Sequence, residues 1–429
     1  MHGPAQDSSL IGRILHLLLI TTAACAASYA RTAVGPLQDT IKVALALDDN
    51  KMALLQGPVL TFPMLILSIP LGLAIDRYSR VQLLRIFTLC SLAGTVLTAV
   101  ASSFSLMLIA RGIVGLTLAT NPIILSLIAD VYSPSQRGRS VMIMSIGQLG
   151  GLAGAFVFGG NLLARYGTGT TGWHSAMLWL AAPLVPVVVL LLLIREPPRR
   201  SGAIEHVPIS EIWRNIWCKR AATAPLLAGL VIMELTITAT VFWATPAFSR
   251  RFVVTPDRLG TIMAVAIVVS GCIGPIVGGT LADICQRSGG PRRTLLVMLT
   301  LTLVDMSAAE FPTLAGVRAA TIGLVVFITI TTAVLVMGTT AFTVVIPERT
   351  RGLFTSLLNG GGIIAAGLAP VVVSELASAM TGQAPIAQSL AAVSMGTCFL
   401  SAIAFFFGAR QFRRSSEQQT LAKNGAVSG

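Results

Sequence analysis

Four charged residues lie inside long apolar stretches of this 429-residue chain: Arg31, Arg111, Glu234 and Asp305. Moving an ionised side chain to the centre of a bilayer costs about 2.5–3.5 kcal/mol on insertion scales, so such residues usually have a function. The arginines could bind an anionic group, and a desolvated carboxyl group could bind and release a proton. The chain therefore carries the residue types needed for solute and proton binding inside a membrane.

The depth of these residues follows from the rise of a helix. Arg31 lies roughly 27 Å past Arg13, in the outer half of a span, and we interpret it either as an anchor for an anionic substrate or as part of a structural pair. Glu234 lies roughly 21 Å past Arg220, near mid-membrane, and is the main candidate for proton coupling. Asp305 is about as central, and is either a second proton-coupling candidate or a structural hydrogen-bonding residue.

The composition excludes several classes of protein. The chain is 54% hydrophobic and 11% charged, with a mean hydropathy of +0.81, which indicates a membrane protein. Its net charge of +13 is spread over short loops, which argues against a nucleic-acid partner. The six cysteines show no paired spacing, so we expect no disulfide, metal or cofactor. Because no set of nucleophile, base and orienting group is recognisable, we do not expect an enzyme.

Apolar runs of roughly 20 residues can each cross the bilayer as a helix. They predict an all-α membrane protein with twelve transmembrane helices in two pseudo-symmetric six-helix halves. The spans are predicted near residues 14–36, 54–75, 83–101, 105–129, 141–163, 174–194, 222–247, 259–284, 294–312, 319–345, 353–378 and 388–409.

The halves occupy residues 13–194 and 222–410, joined by a cytoplasmic linker at 195–221 and followed by a cytoplasmic tail at 411–429. Apolar residues at helical spacing from Ile209 to Trp217 predict an interfacial helix in the linker. Lys and Arg are concentrated at the termini and in alternate loops, which places both termini in the cytoplasm. We expect a multi-pass plasma-membrane protein, in the cytoplasmic membrane if the source is bacterial.

Two short phrases are repeated in the second half of the chain. The first runs from Gly72 to Arg77 and returns from Gly279 to Asp283. The second, which contains Arg137, returns around Arg351. Each phrase ends an apolar run in both copies, so the repeats indicate a duplicated membrane unit with parallel halves.

The pattern G-x-x-x-D-R-x-x-R, formed by Gly72, Asp76, Arg77 and Arg80, resembles the signature of the major facilitator superfamily. We expect Gly72 to permit close helix approach and Asp76 to pair with arginines or with a helix N-terminus. The resemblance implies a charge latch that holds the inner gate. The gating candidates are Gly72, Asp76, Arg77, Arg80, Gly279, Asp283, Arg137 and Arg351.

Further motifs bear on proton coupling. Arg111, followed by Gly115, resembles the R-x-x-x-G signature of the family's fourth helix, which implies a proton-coupling role for Arg111. In the fifth helix Gly150 and Gly151 lack the proline of the family's antiporter signature, so export by antiport is not indicated.

A run from Tyr29 to Val34, together with the Asp-Arg pair of the first motif, resembles spinster-like transporters. That family has acidic residues where this chain has Ala30 and Leu118, so its coupling is either relocated or absent. In the superfamily helices 1, 4, 7 and 10 surround the cavity, and polar or aromatic residues on helices that line or flank it are substrate-binding candidates. These candidates are Arg31, Tyr29, Asn121, Gln148, Trp243 and Asn359.

We therefore expect a monomeric secondary active transporter that moves a small anionic or amphipathic organic solute by alternating access. A proton gradient across the lipid bilayer is one option for its energy source, and the protein would then work as a symporter. Two alternatives remain open: a drug efflux transporter, and an uncoupled lipid-moving or sensor protein.

Overall fold

The computed structural model describes residues 10–167, 169, 171–197, 209–345 and 348–427, and this part of the chain is helical without any strand. The helices before the linker are α1 (Leu10–Thr32), α2 (Gln38–Ala44), α3 (Asp49–Gln56), α4 (Pro58–Arg77), α5 (Arg80–Ala99), α6 (Phe104–Gly115), α7 (Thr120–Val131), α8 (Pro134–Tyr166), α9 (Gly172–Ala181) and α10 (Leu184–Leu191). Those that follow it are α11 (Ile209–Arg251), α12 (Pro256–Ala308), α13 (Val317–Val345), α14 (Glu348–Ala379) and α15 (Pro385–Val427).

Eleven helical segments of the described residues are long and apolar enough to cross a membrane. One of them, Pro256–Thr313, has 58 residues, which is far more than the roughly 20 that one span needs. Gly290 interrupts this segment with φ 64° and ψ −158°, a conformation that glycine adopts readily. Its two parts count as separate spans, so the prediction of an all-α membrane protein with twelve transmembrane helices is confirmed.

Several spans of the first half are interrupted where the sequence predicted continuous helices, among them the first and the fourth. In the first span, α1 ends at Thr32, and a 3-10 turn at Gly35–Leu37 follows, with Pro36 at its start. Proline has no N–H to donate to the preceding turn, which favours a break of the helix here. In the fourth span a 3-10 turn at Leu116–Ala119 separates α6 from α7. Both breaks leave backbone carbonyls without ordinary helical partners.

The chain divides into two compact units that differ slightly from the predicted halves. Unit 1 is Met1–Ile204 with Val254–Val265, and unit 2 is Glu205–Val253 with Ala266–Gly429. The start of α12 belongs to unit 1 because it packs tightly on α8. A Cβ added at Gly160 would lie 2.5 Å from the carbonyl oxygen of Pro256, so only glycine fits there.

Glycines on α8 let it pack directly against α1 in unit 1. A Cβ added at Gly147 would lie 2.5 Å from the Thr21 side chain, and one added at Gly151 would overlap the carbonyl of Cys25. A Cβ added at Gly159 would likewise overlap the side chain of Pro36. These positions recur at multiples of four residues, which places them on one face of the helix.

We predict that Gly151→Ala lowers the melting temperature of the purified protein, because its new methyl group has to displace the α1 backbone. Overpacking of this kind costs about 1–3 kcal/mol. Gly150→Ala is the matched control, since Gly150 is exposed and its added Cβ meets nothing within 4 Å. Equal melting temperatures for the two variants would show that α1 and α8 are not closely packed.

Unit 2 has its own apolar core, formed by α11, residues of α12 on both sides of Gly290, α13 and α15. Leu230, Met298, Met337 and Phe405 are among its buried members. Linker residues 198–208 lie outside the described residues, and the interfacial helix predicted from Ile209 to Trp217 begins just after them. Where the backbone is described again, α11 runs from Ile209 to Arg251 without a break, so no separate short helix is seen there.

Candidate functional site

Arg111 is fully buried in unit 1 and binds the end of α1. Its Nη2 donates a hydrogen bond to the backbone oxygen of Arg31 at 2.7 Å, and Nη1 reaches the backbone oxygen of Ala30 at 3.5 Å. These carbonyls lie in the last turn of α1, where no further helical N–H groups are available. A cation at a helix C-terminus also interacts favourably with the helix dipole. Arg111 therefore stabilises the break in the first span.

The Arg31 side chain lies next to this contact but has no comparable partner. It is half-buried, and no hydrogen bond or ion pair joins its guanidinium to any described residue. The Arg31 and Arg111 guanidinium groups repel each other, because the charges are of the same sign. An anion bound at Arg31 would relieve this repulsion.

Three of the buried hydroxyl groups in unit 1 that lack hydrogen-bond partners among the described residues lie near the breaks in the first and fourth spans. They belong to Tyr29, two residues before Arg31, and to Thr117 and Thr120, at the break in the fourth span. Buried polar atoms without partners are uncommon and cost free energy, so each such group calls for a ligand or a water molecule. The hydroxyl of Tyr29, a predicted binding residue, can still accept or donate one hydrogen bond.

Asn121 and Gln148 are brought together by the fold. Both side chains are half-buried, and the amide nitrogen of Gln148 donates to the side-chain oxygen of Asn121 across α7 and α8. The pair keeps one amide nitrogen and one amide oxygen for other partners. Both residues were predicted from the sequence as separate binding candidates, and the sequence did not indicate that their side chains hydrogen-bond to each other.

Glu234 is half-buried on α11 in unit 2. Its side chain packs beside Gly362 on α14, where an added Cβ would lie 3.5 Å from the Glu234 Cγ, an ordinary van der Waals contact. No ion pair or hydrogen bond joins the carboxylate to another described residue. An apolar, uncharged environment of this kind favours the neutral, protonated form of a carboxyl group.

The other candidates of unit 2 have different environments. Trp243 is fully buried, and its indole N–H donates to the backbone oxygen of Pro370 at 3.0 Å, so it joins α11 to α14 as a packing residue. Asn359 is exposed on α14. Asp305 is fully buried, and its Oδ2 accepts a hydrogen bond from Thr331 at 2.7 Å.

An ion pair joins α5 to α7 at the predicted cytoplasmic end of unit 1. Arg80 at the start of α5 contacts the carboxylate of Asp130 near the end of α7, and each side chain is about a tenth exposed. Arg80 was identified in the sequence as the last residue of the G-x-x-x-D-R-x-x-R pattern, whereas its partner Asp130 was not identified. A polar residue that ends an apolar run is the only signal that pointed to Asp130.

Glu196 forms a second contact at the start of α5. Its carboxylate accepts hydrogen bonds from the Ser79 hydroxyl and from the backbone N–H groups of Arg80 and Val81 at 2.5–3.0 Å. Partial burial raises the pKa of the carboxyl, but these hydrogen bonds and the charge of Arg80 outweigh it, so the pKa lies below its usual value. Glu196 thereby attaches the start of the linker to α5.

The remaining gating candidates are more open than predicted. A Cβ added at Gly72 or Gly279 would meet nothing within 4 Å, so neither glycine lies at a close helix contact in this structure, and their gating roles stay predictions. The close approaches lie at other glycines, such as Gly115, whose added Cβ would be 2.5 Å from the backbone oxygen of Leu60.

Three of the charged gating candidates, Asp76, Arg77 and Asp283, have exposed side chains. Arg137 is exposed too and donates to the backbone oxygens of Ala129 and Tyr132 at the end of α7. The side chain of Arg351 lies outside the described residues. Their gating roles stay predictions.

We predict that Asp130→Asn and Arg80→Gln each destabilise the protein, and that the double variant loses less than the sum of the two. Removing one partner leaves a poorly solvated charge, whereas removing both does not. The coupling should be about 0.5–3 kcal/mol, measured from unfolding of the four proteins in detergent. Asp283→Asn, at an exposed position of unit 2, is the control. Strict additivity would mean that the pair contributes no stability.

The fold and these sites define a multi-pass membrane protein built from two helical units with unpaired charges inside the spans. The sequence profile of the Major Facilitator Superfamily matches residues 20–283, more than half of the chain. The chain belongs to this superfamily, which confirms the resemblance found in the motifs.

Individual relatives match shorter regions. The uncharacterized transporter YgaY of Escherichia coli O157:H7 is 28% identical over 189 residues, which cover 43% of this chain and 44% of that protein. Quinolone resistance protein NorB of Staphylococcus aureus strain JH9 is 29% identical over 134 residues, covering 31% of this chain and 27% of that protein. The chain thus spans less than half the length of these curated relatives.

A solved structure resembles nearly the whole chain. It is the crystal structure of a bacterial homologue of the human lysosomal transporter Spinster, in an inward-facing and unoccupied conformation. The TM-score is 0.79 at 22% identity, and the alignment covers 95% of this chain and 99% of that chain. At this identity the likeness establishes the shared fold.

Proposed function

We propose that the protein is a secondary active transporter that moves a small organic anion by alternating access. The observation that carries this proposal is the Arg31 guanidinium, half-buried inside a span and without a partner among the described residues. A guanidinium offers five N–H donors in a planar fork that matches a carboxylate or phosphate group. We therefore assign the anionic group of the substrate to Arg31.

Arg111 is proposed to position Arg31 rather than to carry a proton. Its hydrogen bonds to the backbone oxygens of Ala30 and Arg31 support this role, because they fix the end of the helix from which Arg31 extends. The Tyr29 hydroxyl and the free donor and acceptor of the Asn121 and Gln148 pair would hydrogen-bond neutral polar groups of the solute.

Glu234 is proposed to carry the coupling proton. Its half-buried carboxyl group lies in a span and has no cation beside it among the described residues. A group of this kind can take up a proton in one conformation and release it in another if the two conformations differ in how they solvate it. This arrangement favours symport of a proton with the anion.

A thermal-shift screen of the purified protein tests the substrate class. A ligand that binds the folded state stabilises it by RT ln(1 + L/Kd) at free ligand concentration L, so the melting temperature rises with ligand concentration and affinity. The panel contains small carboxylates, phosphate monoesters, zwitterions including a fluoroquinolone, lysolipids and organic cations. We expect stabilisation by anions that is absent in Arg31→Ala. Stabilisation by cationic or apolar drugs alone would favour efflux instead, which the similarity to NorB makes the second candidate.

A further inference from the structure

A carboxyl group occupies a core position in unit 2. After Gly290, the fully buried residues of α12 are Thr294 and Leu295, followed at intervals of three and four by Met298, Thr302 and Asp305. This spacing marks the face of a helix that packs against its neighbours. Asp305 therefore lies where an apolar residue is expected, with no part of it exposed.

The two carboxyl oxygens of Asp305 have different environments. Oδ2 accepts a hydrogen bond from the hydroxyl of Thr331, a fully buried residue of α13, at 2.7 Å. Oδ1 is buried and has no hydrogen-bond partner among the described residues. An ionised carboxylate would thus have half of its charge without any donor, in a place that water does not reach.

No cation compensates this charge among the described residues. Asp305 forms no ion pair with any described residue. The titratable group that interacts with it is the buried Cys398 thiol on α15, which carries no positive charge. Ser394, one turn before Cys398, is also buried, and its hydroxyl has no partner. The described groups that interact with the carboxyl are thus the Thr331 hydroxyl and the Cys398 thiol, so only a bound cation or a proton can neutralise it.

We propose that Asp305 is a proton-binding site that holds its proton in the folded protein. A proton needs only one acceptor, and Oδ1 supplies it. A sodium ion would need several oxygen ligands, whereas among the described residues Thr331 alone donates a hydrogen bond from its hydroxyl to this carboxyl. The site is distinct from Glu234, because Asp305 is fully enclosed and Glu234 is half-buried. The inference does not depend on the proposed substrate or on its coupling.

Difference infrared spectroscopy of the purified protein tests this site directly. We expect a band of a protonated carboxyl group at neutral pH that disappears in Asp305→Asn and persists in Glu234→Gln. Thr331→Val should shift the band, because it removes the hydrogen bond to Oδ2; this variant keeps the test available if the Asn variant does not fold. A wild-type spectrum without the band would overturn the proposal.

Melting curves across pH provide the second readout. The unfolded chain releases the Asp305 proton well below neutral pH, whereas the folded chain retains it, so the wild-type melting temperature should fall as pH rises. Relative to wild type, Asp305→Asn should lose this part of the decline. Sodium chloride should stabilise both proteins no more than choline chloride does. A sodium-specific stabilisation that is lost in Asp305→Asn would show that the site binds a metal cation instead.

Discussion

Arg31→Ala should lower the apparent affinity for an anionic substrate by about ten- to a hundredfold in reconstituted liposomes. Hydrogen bonds to a charged group contribute about 1.5–3 kcal/mol, and every 1.4 kcal/mol is a factor of ten in affinity. Arg31→Lys keeps the charge but loses the planar fork, so it should retain part of the affinity. Concentration dependence of initial uptake measures both effects.

The matched control is Arg165→Ala, which removes one positive charge from an exposed position near the end of α8 in the same unit. It should leave the apparent affinity close to that of wild type. If the Ala and Lys variants at Arg31 transport the anion equally well, Arg31 does not bind the substrate. A loss of protein from the membrane in Arg31→Ala would instead point to a role in folding, which surface quantification detects.

Glu234→Gln should abolish accumulation driven by a pH gradient while sparing exchange of substrate across the membrane at equal pH. The amide resembles the protonated carboxyl in shape but cannot release a proton, so a coupled cycle stops at that step. Exchange needs no net proton movement and should continue. Liposomes loaded with labelled substrate, with and without an imposed pH gradient, separate the two activities.

Glu375→Gln serves as the control for this experiment, because Glu375 is an exposed carboxylate on α14 in the same unit. Its gradient-driven accumulation should match that of wild type. Accumulation that survives in Glu234→Gln would place the coupling at another group. Wild-type transport that ignores the gradient altogether would favour the uncoupled, lipid-moving or sensor alternative.

The spans could be predicted from the sequence because length and hydropathy alone determine which segments can cross a bilayer. The interruptions at Pro36 and at Leu116–Ala119 were missed, since apolar residues continue on both sides of them and hide the local change of backbone. The assignment of residues 254–265 to unit 1 was missed too. It depends on glycines of two separate helices meeting, and one sequence does not record which glycines face each other.

For the candidate site, too, the sequence shows the residue types but not the tertiary contacts that these residues make. Arg31, Arg111 and Glu234 were found because a charge inside an apolar run is visible in the sequence itself. The environments of these residues could not be predicted, because each environment is formed by residues that are distant in the sequence. The backbone carbonyls that Arg111 binds and the Asp130 partner of Arg80 are examples. Residue type thus indicated the chemistry, and tertiary contacts decided which candidates still have donors or acceptors to offer.

The reversal of the chain at Gly290 has a consequence for biogenesis. Only a few residues separate the two spans of α12, and Pro291 begins the second of them, so there is no loop long enough to be translocated by itself. The two spans should therefore enter the bilayer together, as a helical hairpin. By the positive-inside rule we expect Arg287, Arg292 and Arg293 beside the turn to retain its tip on the predicted cytoplasmic side during synthesis. The orientation of this hairpin should then be set before the later spans of this half are inserted.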